Sequence, residues 1–282
     1  MKKFYSPLRY PGGKNRLSKF ISEICVNNNI SGHYIEPYAG GASVALHLLM
    51  EKKVKEITIN DYDKSIYAFW YSVLNNTNKF CKLIKETPIT IDEWKLQKEI
   101  QRNKETTDLL KLGFSTFFLN RTNISGIINA GPIGGIQQKG KYKIDCRFNK
   151  EKLIEKIKLI ASFKDKIHLY NLDTIELIKT IRKNLNRKNN IIYFDPPYFL
   201  KGPSLYLNHY DIEDHKEVAK EIKKIKRIHW IISYDDTKEI EEIYDWVENK
   251  QKFNLNHSAY KSKIGKEILF FSHKLSVDKL VI

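Results

Sequence analysis

The segment IIYFDPPYFL, residues 191–200, decides the fold. Its first four residues are apolar or aromatic and predict a strand buried on both faces, because a central strand of a parallel sheet has no polar side. The run stops at Asp195, and the two prolines that follow have a fixed φ and no N–H group. A buried strand that ends in a carboxylate on a stiff backbone favours a functional site over an ordinary turn, since ligands of open α/β sheets bind beyond the carboxyl ends of the strands.

The rest of the chain alternates short β-branched stretches with amphipathic helical ones, a pattern that predicts an α/β fold with a parallel sheet. The predicted strands are His33–Glu36, Glu56–Asn60, Ile167–Tyr170, Ile191–Phe194 and Ile228–Ser233, followed by an antiparallel pair at Phe253–Ser258 and Glu267–Ser272. The alternation lapses after the second strand, where helical, polar sequence is followed by the glycine-rich GIINAGPIGGIQQKGKYK. We therefore predict a sheet domain from residues 1–64 and 148–282 and an inserted, mainly helical lobe at 65–147.

The composition excludes several classes of protein. Hydrophobic residues make up 41% of the chain and no apolar run approaches the length of a membrane span, which indicates a soluble protein. The N-terminal lysines precede no apolar stretch, so we expect no signal peptide. Cys25, Cys81 and Cys146 are odd in number and lack the spacing of metal ligands, which predicts a reducing, cytoplasmic environment and no metal site.

Basic residues outnumber acidic ones by 49 to 33, giving a formal charge of +16 that favours a polyanionic partner. The placement of this charge is more informative than its total. Residues 109–150 hold seven basic side chains and one acid, Asp145. The sequence therefore predicts that the sheet carries the chemistry and the insert contacts the partner.

Polar and small residues follow each predicted strand. The first strand leads into Glu36-Pro37-Tyr38-Ala39-Gly40-Gly41, a turn whose small residues allow a ligand to approach the backbone, although the glycines could equally serve the turn alone. The second ends at Asp61, about twenty residues later, the offset at which nucleoside-binding folds place a carboxylate on ribose hydroxyls. The third leads to Asp173, an acceptor suited to an adenine amino group. Helix capping is the alternative for Asp61, Asp63 and Asp173.

The fourth strand ends in the acceptor pair formed by the Asp195 carboxylate and the Pro196 carbonyl, beside the ring of Tyr198. Two acceptors and an aromatic ring suit an exocyclic amine on a planar base, because the acceptors take both N–H protons while the ring stacks on the base. We expect catalysis by positioning and electrostatics, since an ordinary aspartate with a pKa near ~4 is a weak base.

With these motifs the chain resembles the Dam-type (D12 class, α-group) DNA adenine-N6 methyltransferases. The resemblance covers the whole chain, from Arg9-Tyr10-Pro11-Gly12-Gly13-Lys14 through the glycine turn and Phe117–Arg121 to Asp195–Tyr198. It implies a Rossmann-like, S-adenosylmethionine-dependent methyltransferase sheet with a target-recognition insert and no metal. It also implies that Asp195, Pro196 and Tyr198 are catalytic. The implied cofactor-binding residues are Tyr10, Lys14, Glu36, Pro37, Gly40, Gly41, Asp61, Asp173 and Asp195.

The expected partner is double-stranded DNA, from which the target adenine is flipped out. The candidate DNA-binding residues lie in the insert: Asn120, Arg121, Asn123, Lys139, Lys141, Lys143 and Arg147. For Arg121 we leave open a phosphate contact or the reading of a guanine. We further expect a monomer without membrane association. We expect it to be encoded by a bacterium or phage and to act on DNA in the cytoplasm, and a companion restriction endonuclease is possible.

Two other functional interpretations fit the same residues. The site could methylate adenine in RNA or N4 of cytosine in DNA, or the chain could be an inactive DNA-binding protein. Nucleoside analysis after the reaction distinguishes the RNA and cytosine substrates from adenine in DNA. Absence of affinity for S-adenosylmethionine would indicate the inactive DNA-binding protein.

Overall fold

The computed structural model describes residues 4–9, 17–185, 188–199, 210–257 and 263–278. The chain divides into two compact units. The helical unit comprises Met1–Gly13 and Asp63–Asn171, and the sheet unit comprises Lys14–Tyr62 and Leu172–Ile282.

Helices and strands alternate along much of the chain. The helices are α1 (Leu17–Asn27), α2 (Ser43–Met50), α3 (Lys64–Asn75), α4 (Thr77–Glu86), α5 (Ile91–Arg102), α6 (Leu109–Thr122), α7 (Lys150–Ala161), α8 (Thr174–Asn184), α9 (Ile212–Lys223) and α10 (Lys238–Ile243). The strands are β1 (His33–Glu36), β2 (Glu56–Asn60), β3 (Ile167–Tyr170), β4 (Ile191–Phe194), β5 (His229–Asp235), β6 (Lys250–His257) and β7 (Lys263–Phe271). The predicted α/β fold class is confirmed.

Within the sheet unit the strands run in the order β2-β1-β4-β5-β7-β6. The pairs β1–β2, β1–β4 and β4–β5 are parallel, and β7 is antiparallel to both β5 and β6. All four residues of β1 and of β4 are buried. Central strands covered on both faces require this apolar sequence, and the quoted run at 191–194 is one of them.

The core on one side of this sheet is rich in isoleucine and aromatic residues. Ile192, Phe194 and Ile232 pack with the apolar faces of α8 and α9. The ring of Tyr244 stacks against Phe270 with centroids 5.0 Å apart. This packing holds β4 and β5 rigidly, so the residues at their carboxyl ends are carried on a fixed frame.

The helical unit is built around phenylalanine side chains. Phe69 stacks on Phe117 at 5.9 Å, and Phe80 and Phe148 meet Phe117 edge-on at 5.6 and 5.4 Å. Helix α6 passes so close to α3 that a Cβ on Gly113 would collide with the carbonyl of Ala68. This approach requires glycine in the middle of a helix, where glycine otherwise costs stability.

The boundaries of the units differ from those predicted for the insert. Residues 148–171 belong to the helical unit because α7 packs on α4 and α3, and Phe148 joins the phenylalanine cluster. The N-terminal segment belongs there too: the Arg9 N–H donates to Asn120 Oδ1 at 2.7 Å, and Asn120 Nδ2 donates to the Arg9 carbonyl at 2.8 Å. Assignment of catalysis and DNA recognition to the two units stays a prediction. Among the described residues, no helix has both the length and the apolar character needed to cross a membrane.

Asn60, at the end of β2, ties together the loops at the carboxyl edge of the sheet unit. Its side chain is fully buried and donates to the Pro37 carbonyl at 2.9 Å and the Leu172 carbonyl at 3.1 Å. Its Oδ1 accepts the Leu172 N–H at 2.9 Å, and its own carbonyl accepts the Ala39 N–H at 2.8 Å. One amide thus fixes the turn after β1 and the segment before α8.

Replacement of Asn60 by alanine should lower the free energy of unfolding by about 2–4 kcal/mol, because buried backbone groups lose their partners. Urea unfolding measures this change. Asn129→Ala, at an exposed position, is the matched control and should change stability by no more than about 0.5 kcal/mol. Equal effects of the two substitutions would contradict this role for Asn60.

Candidate active site at the carboxyl ends of the strands

The turn after β1 has the backbone shape predicted from its small residues. Gly40 has a φ of 46° and Ala42 a φ of 45°, both in the left-handed region. The Gly40 N–H donates to Asp61 Oδ2 at 2.8 Å, so the aspartate directly after β2 holds the turn from the side. Gly41 is buried beside them. The turn and Asp61 therefore lie together as the sequence predicted, and Asp61 already has one partner in the protein.

Glu36 is a buried carboxylate that caps helix α2. The helix begins after Ala42, which offers no side-chain cap, and Glu36 Oε1 instead accepts the Ala45 N–H at 3.2 Å. The same oxygen accepts the Tyr34 hydroxyl at 2.9 Å. Burial, together with the nearby charge of Asp195, raises the pKa of Glu36 to about 8 against the opposing effect of these hydrogen bonds. Glu36 and Asp195 are therefore close enough for the charge of one to affect the pKa of the other.

Two of the alternative helix caps are present. Asp63 accepts the Ser65 N–H at 2.9 Å and caps α3, and Asp173 accepts the Ile175 N–H at 2.8 Å and caps α8. The N-cap of α3 is thus Asp63, whereas Asp61 Oδ2 accepts the Gly40 N–H of the glycine turn. A cofactor contact by Asp173 stays a prediction, and the cap leaves its carboxylate with further acceptor positions.

Asp195 is half-buried directly after β4 and is held by a hydroxyl from the neighbouring strand. The Ser233 Oγ–H donates to Asp195 Oδ1 at 2.6 Å. Ser233 in turn lies 2.9 Å from the Tyr193 hydroxyl, and both residues are buried. The predicted reaction centre thus rests on strand residues rather than on a loop alone. Pro196, the next residue, is also buried.

Tyr198 is anchored through its hydroxyl. The O–H donates to Glu267 Oε1 at 2.7 Å, and Glu267 is 1% exposed on β7. Burial, the charges of Asp195 and Glu267 and this hydrogen bond raise the pKa of Tyr198 well above its usual value, so the hydroxyl keeps its proton. Tyr198 itself is 8% exposed, so a bound base would meet only a small part of the ring.

Sequence reasoning did not identify three residues that hold the Asp-Pro-Pro-Tyr segment. They are Ser233, Glu267 and Asp235, whose Oδ1 accepts the Phe199 N–H at 3.0 Å. Asp235 and Glu267 face each other across the antiparallel pair of β5 and β7. The sequence did show polar residues at the ends of predicted apolar strands. Their contacts with the Asp-Pro-Pro-Tyr segment depend on how neighbouring strands pair, which the sequence alone does not give.

The acidic side chains of the site can accept hydrogen bonds and stabilise a positively charged ligand. Three acidic residues lie near the Tyr193 phenol. Beyond the effect of burial, the charges of Asp195, Glu267 and, in its ionised form, Glu36 raise the pKa of Tyr193. A turn of small residues adjoins the carboxyl end of β1, with Asp61 on its N–H group. This arrangement of acceptors and small residues fits S-adenosylmethionine, because a small-residue turn admits the nucleoside and carboxylates favour a cation.

Among the predicted DNA-binding residues of the helical unit, both asparagines are buried and used internally. Asn120 Nδ2 donates to the carbonyls of Arg9 and Gly126 at 2.8 and 2.9 Å. Asn123 Oδ1 accepts the Trp94 Nε1–H at 2.6 Å, and its Nδ2 donates to the Ile127 and Ile128 carbonyls at 2.8 Å. These amides hold the loop after α6 in shape.

Arg121 is partly buried against other cations. Its Nη2 donates to the Arg147 carbonyl, while its Nε has no hydrogen-bond partner among the described residues. Burial, followed by the charges of Arg9 and Arg147, lowers the pKa of Arg121 to about 10. The exposed candidates in this unit are Arg147, Lys139, Lys141 and Lys143. Tyr10 and Lys14 lie outside the described residues.

Three comparisons bear on identity. A family model described as D12 class N6 adenine-specific DNA methyltransferase matches residues 10–263. The type II methyltransferase M.MjaIII of Methanocaldococcus jannaschii is 24% identical over 239 residues, covering 78% of this chain and 80% of the relative. The type II methyltransferase M.CviBI of Paramecium bursaria Chlorella virus NC1A is 23% identical over 274 residues, covering 93% and 95%. The solved SAM-dependent methyltransferase of Agrobacterium tumefaciens aligns at a TM-score of 0.41 and 7% identity, over 92% of this chain and 61% of that one.

The family match spans nearly the whole chain and confirms the resemblance inferred from the motifs. It selects adenine in DNA over the RNA and cytosine alternatives. The chain belongs to the D12 class of N6-adenine-specific DNA methyltransferases, enzymes that transfer a methyl group from S-adenosylmethionine to adenine in DNA.

Proposed function

We propose that this enzyme methylates an adenine flipped out of duplex DNA, with Asp195, Pro196 and Tyr198 holding the base at the carboxyl end of β4. The observation that carries the proposal is the anchoring of this segment: Ser233 fixes Asp195 and Glu267 fixes Tyr198. Flipping is required because the amino group of a paired adenine is inaccessible inside the duplex.

Asp195 and the Pro196 carbonyl act as paired acceptors for the adenine amino group. The nitrogen lone pair of adenine is delocalised into the ring, so the amine is a poor nucleophile. Acceptors on both N–H groups favour the tetrahedral nitrogen of the transition state and localise the lone pair. The nitrogen must lose a proton once it is methylated, and the Asp195 carboxylate is the acceptor that we assign to it.

The cofactor is held by the glycine turn and its acids. When bound, S-adenosylmethionine supplies the methyl group as part of a sulfonium cation. We assign its binding to Tyr10, Lys14, Glu36, Pro37, Gly40, Gly41, Asp61, Asp173 and Asp195. The hydrogen bond from Gly40 to Asp61 supports this assignment, because it preshapes a turn of small residues beside a carboxylate.

The helical unit is assigned to DNA. Lys139, Lys141, Lys143 and Arg147 are exposed and suit phosphate contacts, whereas Asn120 and Asn123 support the loop from inside. For Arg121, burial beside Arg147 favours a phosphate over a guanine edge, since a phosphate relieves the repulsion between cations.

The biological setting is also a proposal. The two relatives are named type II methyltransferases, which supports a modification role with a companion restriction endonuclease. We propose that the enzyme acts as a monomer on double-stranded DNA, in the cytoplasm of a bacterium or of a cell infected by a phage.

Replacing Asp195 by alanine should reduce methyl transfer by at least about 100-fold, because the paired acceptor is lost, while cofactor and DNA binding stay partly intact. Transfer of radiolabelled methyl groups to unmethylated genomic DNA, followed by nucleoside analysis, measures both rate and product. Asp245→Ala, at an exposed position, is the control and should leave the rate unchanged. Near-normal turnover by Asp195→Ala would reject the proposed site.

Replacing Tyr198 by phenylalanine should preserve most activity, because its hydroxyl is committed to Glu267 and the ring remains. Stability should fall by about 1–3 kcal/mol, since buried Glu267 loses a donor. Tyr198→Ala also removes the ring, and adenine binding should weaken by about 1–3 kcal/mol. Steady-state kinetics and urea unfolding separate these effects. A phenylalanine variant as inactive as the alanine variant would show that the hydroxyl acts on the substrate directly.

Combined replacement of Lys139, Lys141 and Lys143 by glutamine should weaken DNA binding. The slope of log affinity against log salt should fall by about one for each phosphate that the variant no longer neutralises. Fluorescence anisotropy with a labelled duplex between low and moderate salt measures the slope. Lys216, Lys220 and Lys238 of the sheet unit are also exposed, and their triple glutamine variant removes the same charge. An equal fall in slope for both variants would mean that net charge, rather than this segment, drives binding.

A further inference from the structure

Two hydroxyl groups lie in a chain behind Asp195. The Tyr193 hydroxyl is 2.9 Å from Ser233 Oγ, and Ser233 Oγ is 2.6 Å from Asp195 Oδ1. Tyr193 is 2% exposed and Ser233 is fully buried, whereas Asp195 is half-buried. This series of hydrogen bonds therefore leads from the interior of the sheet to Asp195 at the end of β4.

The direction of these hydrogen bonds follows from the number of protons available. An ionised carboxylate can only accept, so the single proton of the Ser233 hydroxyl is used by Asp195. The Tyr193 hydroxyl must then be the donor to Ser233 Oγ. Burial and the surrounding carboxylates raise the pKa of Tyr193 well above its usual value, so the phenol retains the proton that it donates.

We propose that Tyr193 and Ser233 form a hydroxyl relay that orients the Asp195 carboxylate towards the adenine amino group. The proposal rests on the function assigned to Asp195 above. Ser233 and Tyr193 are positioning residues, because they act through Asp195 and contact neither the base nor the methyl donor in this assignment. The relay holds Oδ1 and thereby limits rotation of the carboxylate about its Cβ–Cγ bond.

The sheet supplies the rigidity that such positioning needs. Tyr193 and Ser233 lie on the adjacent parallel strands β4 and β5, whose backbone pairing is continuous from Ile191 to Phe194. A side chain held by a strand is placed more accurately than one held by a loop. An aspartate after a strand would otherwise sample several rotamers, and a misplaced acceptor at the reacting atom costs rate.

Ser233→Ala should lower kcat by about 10- to 100-fold, the effect of losing one hydrogen bond to a charged group. The KM for DNA and the cofactor affinity measured by calorimetry should stay within about twofold, because the binding surfaces are unchanged. Ser233→Thr keeps the hydroxyl and should recover most of kcat. Tyr193→Phe should have a smaller effect, since Ser233 can still donate to Asp195.

The double variant Tyr193→Phe/Ser233→Ala separates positioning from stability. Ser233→Ala alone leaves the buried Tyr193 hydroxyl without its acceptor and should unfold at lower urea concentration. Removing both hydroxyls should restore most of that stability, while kcat stays as low as in Ser233→Ala. Tyr234→Phe is the matched control: it removes another buried hydroxyl, bonded to His215 Nδ1 at 2.8 Å, and should lower stability without changing kcat.

Two results would overturn the relay. A Ser233→Ala enzyme with wild-type kcat would do so, and the proposed function would stand if Asp195→Ala were inactive in the same assay. Recovery of kcat together with stability in the double variant would show that the hydroxyls act only on folding. Full activity of Asp195→Ala, in contrast, would reject the proposed function itself.

Discussion

The burial of carboxylates at one edge of the sheet is the constraint on which the site depends. A carboxylate removed from water is costly unless hydrogen bonds compensate it. Glu36 accepts the Tyr34 hydroxyl and a helix N–H, Asp195 accepts Ser233, and Glu267 accepts Tyr198. The buried acids therefore need these hydroxyl donors, and the position of each acid determines where its tyrosine or serine hydroxyl lies.

Hydroxyl and backbone donors hold a carboxylate in place without cancelling its charge. After burial, the charges of Asp195, Glu267 and, in its ionised form, Glu36 raise the pKa of Tyr193, so all three acids lie near this phenol. Methylation of an amine by a sulfonium moves positive charge onto the nucleophile, so a site with fixed negative potential stabilises charge both before and after transfer. In the proposed reaction this potential comes from the carboxylates of Asp195 and Glu267, whose hydroxyl partners keep it in a defined position. Glu36, with its pKa raised to about 8, is mainly protonated at neutral pH and adds little negative charge.

The sequence predicted the parts of the fold that depend on local pattern. Strands β1 to β4 were predicted to the residue, because each is a short β-branched or aromatic run bounded by polar residues. Glu267 and Ser233 were missed because their roles depend on the register of β5 with β7 and β4. Asn120 was predicted to bind DNA because, with Arg121, it precedes a small, polar loop, but hydrogen bonds with the N-terminal segment hold its amide inside the unit.

The buried asparagines limit how the helical unit could read DNA. An amide can bridge adenine because it offers both a donor and an acceptor. The Asn123 side chain donates to two backbone carbonyls and accepts from Trp94. The Asn120 side chain likewise donates to two backbone carbonyls and accepts a backbone N–H. Using either amide on a base would cost the loop its internal hydrogen bonds. In the DNA-binding role proposed for this unit, we therefore expect sequence discrimination to come from other groups, such as the exposed cations or the backbone of the loop that the two asparagines shape.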